Sequence, residues 1–236
     1  MKQTTMPASR REEVVETIHG IEIRDPYRWL EDASSPETRG WTDEQNAYTR
    51  RLLDAVAGRA ELEARLAELL QVGTVTAPAI AGGRLFYLKR EGDQNQPALF
   101  TRDHADGPER LLFDPNGADE AGLVALDWWY PSPDGRRVAF GTSHNGDEWS
   151  TLRVLDAETA AIHADAIERA RYSSVAWVPD GNAFFYTRYP QLGTVPPGEE
   201  SYHSHAFFHR LGDDPIEDPK VFGAGRSPQD ILSLTT

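Results

Sequence analysis

The spacing of hydrophobic positions along the chain changes close to Gly73. Residues 14–23 form a short apolar–polar alternation broken at His19-Gly20, which indicates a strand or a turn. From Ser34 to Gly73, apolar residues recur at intervals of three and four, which predicts amphipathic helices. Ser34-Ser35-Pro36-Glu37 predicts a helix start, because it offers a hydroxyl cap, a proline in the first turn and then an acid. This helix is expected to end at Gly58, and a second is expected over residues 59–71. The predicted apolar faces are Trp41, Tyr48, Leu52 and Val56 in the first helix, and Leu62, Leu66, Leu69 and Leu70 in the second.

From Gly73 onward, short runs rich in Val, Phe, Tyr and Leu alternate with turns that contain Gly, Pro and Asp. This pattern is typical of an all-β architecture. No amphipathic helical pattern separates the runs, which argues against a parallel α/β sheet. The predicted strands are residues 78–81, 84–89, 98–101, 110–113, 137–142, 151–156, 174–178, 183–189 and 206–209.

The β-rich part contains a repeat. Trp129-Tyr130-Pro131-Ser132-Pro133-Asp134-Gly135 resembles Trp177-Val178-Pro179-Asp180-Gly181, and each is followed by an apolar strand. Asp134 and Asp180 lie 46 residues apart, close to the roughly 40–50 residues of one four-stranded propeller blade. Residues 81–87 resemble a degenerate earlier copy. The repeat therefore predicts consecutive propeller blades, and the alternative, a β-sandwich with similar hairpins, does not predict the regular spacing.

Composition narrows the possible partners. The 236 residues carry a formal net charge of −14, and no long run of like charges accounts for it. Nucleic acid and anionic membrane surfaces attract basic patches, so neither is expected as a partner. The chain has no cysteine, which excludes disulfides, thiolate metal sites and cysteine nucleophiles. We find neither a signal-peptide pattern nor an apolar run long enough for a membrane span, and we expect a cytoplasmic protein.

Residues 25–32 carry the densest motif, Asp-Pro-Tyr-Arg-Trp-Leu-Glu-Asp, and this opening resembles that of the prolyl oligopeptidase family of serine peptidases. Further stretches match the family pattern in the same order, from about residue 12 to residue 230. Asp-Pro-Tyr together with Leu-Glu-Asp resembles the proline-specific branch more than the oligopeptidase B branch. The later matching stretches are residues 41–46, 94–96, 112–116, 141–149, 176–181, 185–190 and 208–212.

The resemblance implies a two-part molecule in which a seven-bladed propeller covers the active site of a C-terminal α/β-hydrolase half. Residues 1–72 would be the helical N-terminal arm that packs on that half, and residues 73–236 about three blades of an incomplete propeller. The expected fold class is mainly β. The remaining blades and the hydrolase half are expected to lie outside this chain. By resemblance, the complete enzyme cleaves short proline-containing peptides after proline, without a metal or organic cofactor.

The family's reaction needs a Ser-His-Asp triad with the serine on a Gly-x-Ser-x-Gly elbow. No serine of this chain has glycine on both sides at that spacing. Ser143 comes nearest, but the sequence after it leads into another strand, whereas an elbow opens a helix. We therefore predict no catalytic residue here and no peptide hydrolysis by this chain alone.

Three histidines raise the possibility of a metal site. His203, His205 and His209 would share one face of a strand. The sequence shows no carboxylate or thiolate at the usual ligand spacing, so ordinary surface or hairpin histidines are the favoured interpretation, and no metal is expected.

Three pairs of adjacent acidic residues could act as the two acids of a glycosidase, but spacing alone cannot place a pair across a sugar. The carboxylates of these pairs are therefore expected to be solvated. The pairs are Glu31-Asp32, Glu199-Glu200 and Asp213-Asp214.

The aromatic residues divide into two groups. Trp128, Trp129 and Trp177 could line a groove, but their positions before the repeated turns favour packing between blades. Tyr172 precedes Ser173-Ser174-Val175-Ala176-Trp177, where the family places an aromatic ring that borders the substrate pocket. The resemblance therefore implies that Tyr172 binds substrate.

A non-catalytic, propeller-type binding module is the alternative hypothesis. It would need a closed ring, and about three blades are fewer than the 4–8 that propellers use. Residues 230–234 form an apolar, strand-like run without a capping charge, which suggests a fragment. We also expect exposed apolar faces on the arm and on the last blade, and hence self-association of the isolated chain.

Overall fold

A computed structural model describes residues 5–235 and divides the chain into two compact units between Leu70 and Gln71. The first unit is mainly helical, and the second is built of antiparallel sheets. No helix within residues 5–235 is long and apolar enough to span a lipid bilayer.

The N-terminal unit begins with a hairpin of β1 (Val15–Ile18) and β2 (Ile21–Arg24). His19 and Gly20 form its turn, and both have positive φ angles of 51° and 80°, as a tight two-residue hairpin turn requires. A short 3₁₀ turn (Arg28–Glu31) follows, and then α1 (Pro36–Leu53) and α2 (Arg59–Leu70). The Ser35 hydroxyl accepts from the Thr38 backbone N–H at 3.1 Å, which is the predicted helix cap.

The predicted end of α1 at Gly58 is wrong, because the helix ends at Leu53 and Val56 lies outside it. The Asp54 N–H closes the last helical turn on the Arg50 carbonyl. The chain then reverses before α2, through tight turns and through Gly58 at a φ of 81°. The reversal needs the residues that the apolar spacing had assigned to the helix.

The second unit contains three consecutive meandering sheets. In the first sheet, β5 pairs with β3, β4 and β6, and β6 pairs with β7; in the other two, each strand pairs with the next along the chain. This is the mainly β, open-propeller arrangement that the sequence predicts. The first sheet has β3 (Thr74–Val75), β4 (Ala79–Ala81), β5 (Arg84–Arg90), β6 (Ala98–Arg102) and β7 (Arg110–Phe113). The second has β8 (Val124–Pro131), β9 (Arg137–His144), β10 (Thr151–Asp156) and β11 (Ile162–Ile167). The third has β12 (Val175–Trp177), β13 (Ala183–Arg188), β14 (His205–Arg210) and β15 (Lys220–Phe222).

Apolar cores fill the two spaces between neighbouring sheets. The first core joins Phe86 and Leu99 of the first sheet to Val138 and Phe140 of the second, and all four are fully buried. The second core joins the second sheet to the third through residues such as Phe184. Trp177 belongs to this second core, Trp128 packs against it and Trp129 packs against the first. Inter-sheet packing of the three tryptophans is therefore confirmed.

The repeated turns lie side by side at one end of the three sheets. A Cβ atom on Gly82 would come 1.9 Å from the Asp134 carbonyl oxygen, so the first two turns are in close backbone contact. Arg137 donates from Nη1 to the Gly181 carbonyl at 3.0 Å and joins the second turn to the third. Equivalent turns that contact one another are what radial repetition of a blade produces.

Four strands of the second unit, β3, β8, β11 and β15, are absent from the strands predicted from the sequence. A register shift between Leu126 and Trp128 interrupts the alternation of β8, and Asp165 interrupts the apolar pattern of β11. β3 and β15 are short and exposed. The run at residues 230–234, in contrast, is not a strand. Its Leu234 is held by a side chain, because the Leu234 N–H donates to the Ser174 hydroxyl at 2.8 Å.

Large apolar side chains are exposed in both units, as predicted. In the arm, Leu62 and Leu70 are 61% and 66% exposed. On the third sheet, Phe222 is 53% exposed. Phe185, whose ring is tilted by 52° against that of Phe208, is 37% exposed.

Candidate functional site

Ser143 lies within β9 and is buried. Its hydroxyl donates to Asp127 Oδ1 at 2.9 Å, and the hydroxyl of Ser150 donates to the other oxygen of the same carboxylate at 2.6 Å. The segment after Ser143 leads directly into β10, so Ser143 belongs to a hairpin and not to a strand-to-helix elbow. Its hydroxyl forms part of a structural hydrogen-bonded group.

The three histidines do not form the shared face that their spacing suggested. His203 precedes β14 in a left-handed conformation (φ 59°) and contacts Glu199 through Nε2 at 2.6 Å. His205 and His209 lie in β14, and His205 Nδ1 contacts the His203 carbonyl. Within residues 5–235, no three or more His, Cys, Asp or Glu side chains are arranged to hold a metal ion.

His209 is not a surface histidine, and it does have carboxylate partners. It is fully buried, with Nδ1 2.9 Å from Asp218 and Nε2 3.4 Å from Asp165. The Tyr186 hydroxyl also donates to Asp218 at 2.7 Å, and burial raises the pKa of Tyr186. The sequence reading missed these partners because Asp165 is in the neighbouring sheet and Asp218 lies beyond the end of β14. This group links the second and third sheets.

The adjacent acidic pairs make local contacts. Asp32 accepts from the Ser34 backbone and hydroxyl, and those bonds lower the pKa of Asp32. Asp214 accepts from the Ile216 N–H at the start of a short 3₁₀ turn. Glu199 pairs with His203, as described above. These contacts fit the expected solvated carboxylates and give no pair placed across a substrate.

The opening motif, residues 25–32, organises the arm. Arg28 donates to Asp25 at 2.7 Å and to Glu16 at 2.8 Å, and so joins the motif to β1. Trp29 packs edge-on against Trp41 of α1 with ring centroids 6.2 Å apart. One aromatic ring of the motif is therefore used inside the arm itself.

Tyr172 lies on the loop between β11 and β12, and its side chain is 63% exposed. Its hydroxyl donates to Glu148 Oε2 at 2.6 Å, and Arg171 donates to the same oxygen at 2.5 Å. These two bonds lower the pKa of Glu148 and favour its ionised form. The Arg171 guanidinium also lies 4.9 Å from the centre of the Tyr172 ring.

Trp149 packs against the arginines beside Tyr172. The guanidinium of Arg169 lies 4.0 Å from its ring centre and that of Arg171 lies 5.4 Å away, while Tyr189 packs edge-on at 5.7 Å. Arg169 also donates to the Glu200 carbonyl at 2.8 Å. Three loops of the second unit, at residues 145–150, 168–174 and 189–202, therefore meet at one point. We call Glu148, Trp149, Arg169, Arg171 and Tyr172 the arginine–aromatic cluster.

Three members of this cluster have left-handed backbone conformations. The φ angles are 60° at Glu148, 61° at Arg169 and 48° at Tyr172. Such angles cost about 1–3 kcal/mol each in non-glycine residues and gather at binding and active sites. The sequence reading selected only Tyr172, because nothing in the local residue pattern reveals the backbone conformation of Glu148 or Arg169.

The sheets, their contacting turns and the helical arm define a β-propeller segment with an N-terminal extension. The chain belongs to the prolyl oligopeptidase family, because the family model described as "Prolyl oligopeptidase, N-terminal beta-propeller domain" matches residues 6–236.

Curated relatives named prolyl endopeptidase or prolyl oligopeptidase match nearly the whole chain. A prolyl endopeptidase of Elizabethkingia miricola is 28% identical over 229 residues, which are 96% of this chain and 32% of the relative. Prolyl oligopeptidase A of Galerina marginata is 29% identical and covers 92% of this chain and 34% of its own. The chain therefore spans about a third of the length of the curated relatives it matches.

Solved structures agree with the fold. A prolyl endopeptidase from a study of inter-domain dynamics in two such enzymes has a TM-score of 0.85 and is 36% identical, covering 92% of this chain and 32% of its own. Prolyl oligopeptidase B of Galerina marginata, bound to a 35-residue substrate, has a TM-score of 0.78 over 95% of this chain and 35% of its own. At 24% identity, the second likeness shows the fold alone.

Proposed function

We propose that this chain is the N-terminal portion of a prolyl oligopeptidase-like serine endopeptidase that cleaves short peptides after proline. One observation carries the proposal: the family match extends over residues 6–236, and the matched relatives are named prolyl endopeptidases. The proposal includes a cytoplasmic location, which rests on the sequence analysis alone.

In the proposed domain organisation, residues 1–72 form the arm and residues 73–236 form the propeller segment. The separation of the two compact units between Leu70 and Gln71 supports this division. The partner of the arm would be an α/β-hydrolase half encoded outside these residues. The exposed leucines of α2 support such a partner, since a contiguous exposed apolar face marks an interaction site.

The proposed reaction is acyl transfer by a serine nucleophile, which a histidine activates as general base. The triad would come from the hydrolase half, because no Gly-x-Ser-x-Gly elbow occurs in this sequence. The propeller would limit access to that triad, so that only short peptides reach it, as lids do in other enzymes.

Tyr172 is the residue of this chain that we propose to contact substrate. Its exposed ring and its left-handed backbone support the assignment. Aromatic rings bind apolar groups such as a proline ring through their faces. The other members of the arginine–aromatic cluster would hold the Tyr172 ring in place on the propeller side of the active site.

A direct test compares this chain with the longer protein that contains the hydrolase half. The 236-residue chain should not hydrolyse a proline-amide substrate, whereas the longer protein should, and a serine-directed inhibitor should block it. Turnover by the 236-residue chain that the same inhibitor blocks would refute the proposal. In the longer protein, Tyr172→Ala should raise KM for proline peptides. Ile162→Ala, which removes another large exposed side chain on β11 and outside the three loops, is the matched control.

A further inference from the structure

One carboxylate oxygen of Glu148 accepts two hydrogen bonds from the loop that carries Tyr172. The Tyr172 hydroxyl lies 2.6 Å from Glu148 Oε2, and Arg171 Nη2 lies 2.5 Å from the same atom. We propose that Glu148 is a positioning residue, which orients the Tyr172 ring for substrate through the tyrosine hydroxyl. This inference rests on the proposed function, because it takes Tyr172 as a substrate-binding residue.

The tyrosine needs such a restraint. With 63% of its surface exposed, Tyr172 lacks the close packing that fixes the orientation of buried rings. The hydrogen bond to Glu148 holds the far end of the side chain, and the Arg171 guanidinium lies near its ring. A hydrogen bond to a charged acceptor is roughly twice as strong as a neutral one. The ring is thereby held while much of its surface stays open to a ligand.

Glu148 is itself held by its surroundings. Its backbone is left-handed, and the next residue, Trp149, donates its N–H to Asp147 Oδ1 at 2.9 Å. The Trp149 ring lies close to the guanidinium groups of Arg169 and Arg171. The carboxylate therefore extends from a loop that stacking and a turn both restrain, and it can act as a fixed point for Tyr172.

The geometry also specifies what Tyr172 offers to substrate. Its hydroxyl already donates to Glu148, so that proton is not available for a substrate carbonyl. The open part of the residue is the ring, which recognises apolar or aromatic groups. Loss of the hydroxyl should therefore act through ring orientation and should match the loss of Glu148.

The experiment measures kcat and KM for a proline peptide in the longer protein that contains the hydrolase half. Glu148→Ala and Tyr172→Phe should each raise KM roughly three- to ten-fold, as the loss of one hydrogen bond predicts, with kcat within about twofold. The double variant should be no worse than either single one, because both remove the same bond. Glu148→Gln, which keeps an acceptor oxygen, should restore most of the loss. Glu158→Ala is the matched control, since Glu158 forms a similar exposed ion pair with Arg84 at 2.6 Å in another part of the unit.

Several results would overturn the inference. If Glu148→Ala leaves KM unchanged while Tyr172→Ala raises it, the positioning role fails and the proposed substrate role of Tyr172 stands. If Tyr172→Ala also has no effect, the proposed substrate role itself fails. Additive effects in the double variant would show that the tyrosine hydroxyl contacts substrate directly. A Glu148→Gln variant as defective as Glu148→Ala would assign the effect to charge. Tyr172→Phe removes only one exposed oxygen, so it keeps the test valid if Glu148→Ala fails to fold.

Discussion

Replacement of Asp218 by alanine should destabilise the β-rich unit more than any surface change. His209 is fully buried between two carboxylates, with Nδ1 2.9 Å from Asp218 and Nε2 3.4 Å from Asp165. Asp218 also accepts from the Tyr186 hydroxyl at 2.7 Å, and its own side chain is 3% exposed. Asp218→Ala would remove the acceptor of two buried donors at once.

The magnitude follows from burial. A buried donor that loses its acceptor typically costs about 1–3 kcal/mol, because it stays desolvated without a partner. Asp218→Ala leaves two such donors, Nδ1–H of His209 and the Tyr186 hydroxyl, and local relaxation makes their costs less than fully additive. We expect a total of about 3–5 kcal/mol, which is a large part of the 5–15 kcal/mol that stabilises a typical domain. Asp218→Asn keeps an acceptor oxygen and should cost less.

Urea unfolding followed by tryptophan fluorescence measures this loss. At an m-value near 2 kcal/mol/M, a loss of about 3–5 kcal/mol lowers the midpoint by about 1.5–2.5 M. Low protein concentration suppresses the self-association that the exposed apolar faces predict. Asp213→Ala is the matched control, since Asp213 is exposed on the turn after β14 and its loss should change stability by less than about 0.5 kcal/mol.

Two results would refute this reasoning. If the free energy of unfolding of Asp218→Ala lies within about 1 kcal/mol of that of the unaltered chain, the two buried hydrogen bonds to Asp218 do not carry the stability assigned to them. If His209→Leu is more stable than the unaltered chain, the two carboxylates do not need the imidazole between them. Either outcome would show that the buried group around His209 adds little to the stability of the contact between the second and third sheets.

Two further changes test other parts of the β-rich unit. Hydrogen bonds from Arg102, Lys89 and Tyr87 lower the pKa of Glu109 from 4.5 to about 2, so its contribution to stability is present above pH 4.5 and is lost as pH falls towards about 2. The stability difference between the unaltered chain and Glu109→Gln, measured by urea unfolding, should therefore shrink over that interval, and a constant difference would contradict the assignment. Gly141→Ala should cost about 1–3 kcal/mol by overpacking, because the new Cβ would lie 2.3 Å from Trp128 Cε2, whereas Gly117→Ala meets nothing within 4 Å and serves as the control in the same thermal unfolding measurement. Equal melting temperatures for these two glycine variants would refute the overpacking argument.

The architecture was predictable because it depends on periodicity along the chain. The change of period near Gly73 marked the passage from helices to strands, and the repeated turns at Asp134 and Asp180 marked two of the three sheets. The cap at Ser35 predicted the start of α1 for the same reason, since capping involves neighbouring residues. The predicted end of α1 was wrong, because the chain reversal before Gly58 uses residues that the apolar pattern had assigned to the helix.

The chemistry of individual side chains was decided only by the tertiary structure. His209 looked like a surface histidine because its partners Asp165 and Asp218 come from a neighbouring sheet and from a later turn. The link between Glu148 and Tyr172 joins loops 24 residues apart, and the left-handed backbone at both residues leaves no mark in the sequence. Alternation and turn residues act between near neighbours and can be read in order, whereas burial, hydrogen-bond partners and backbone strain depend on which distant segments fold together.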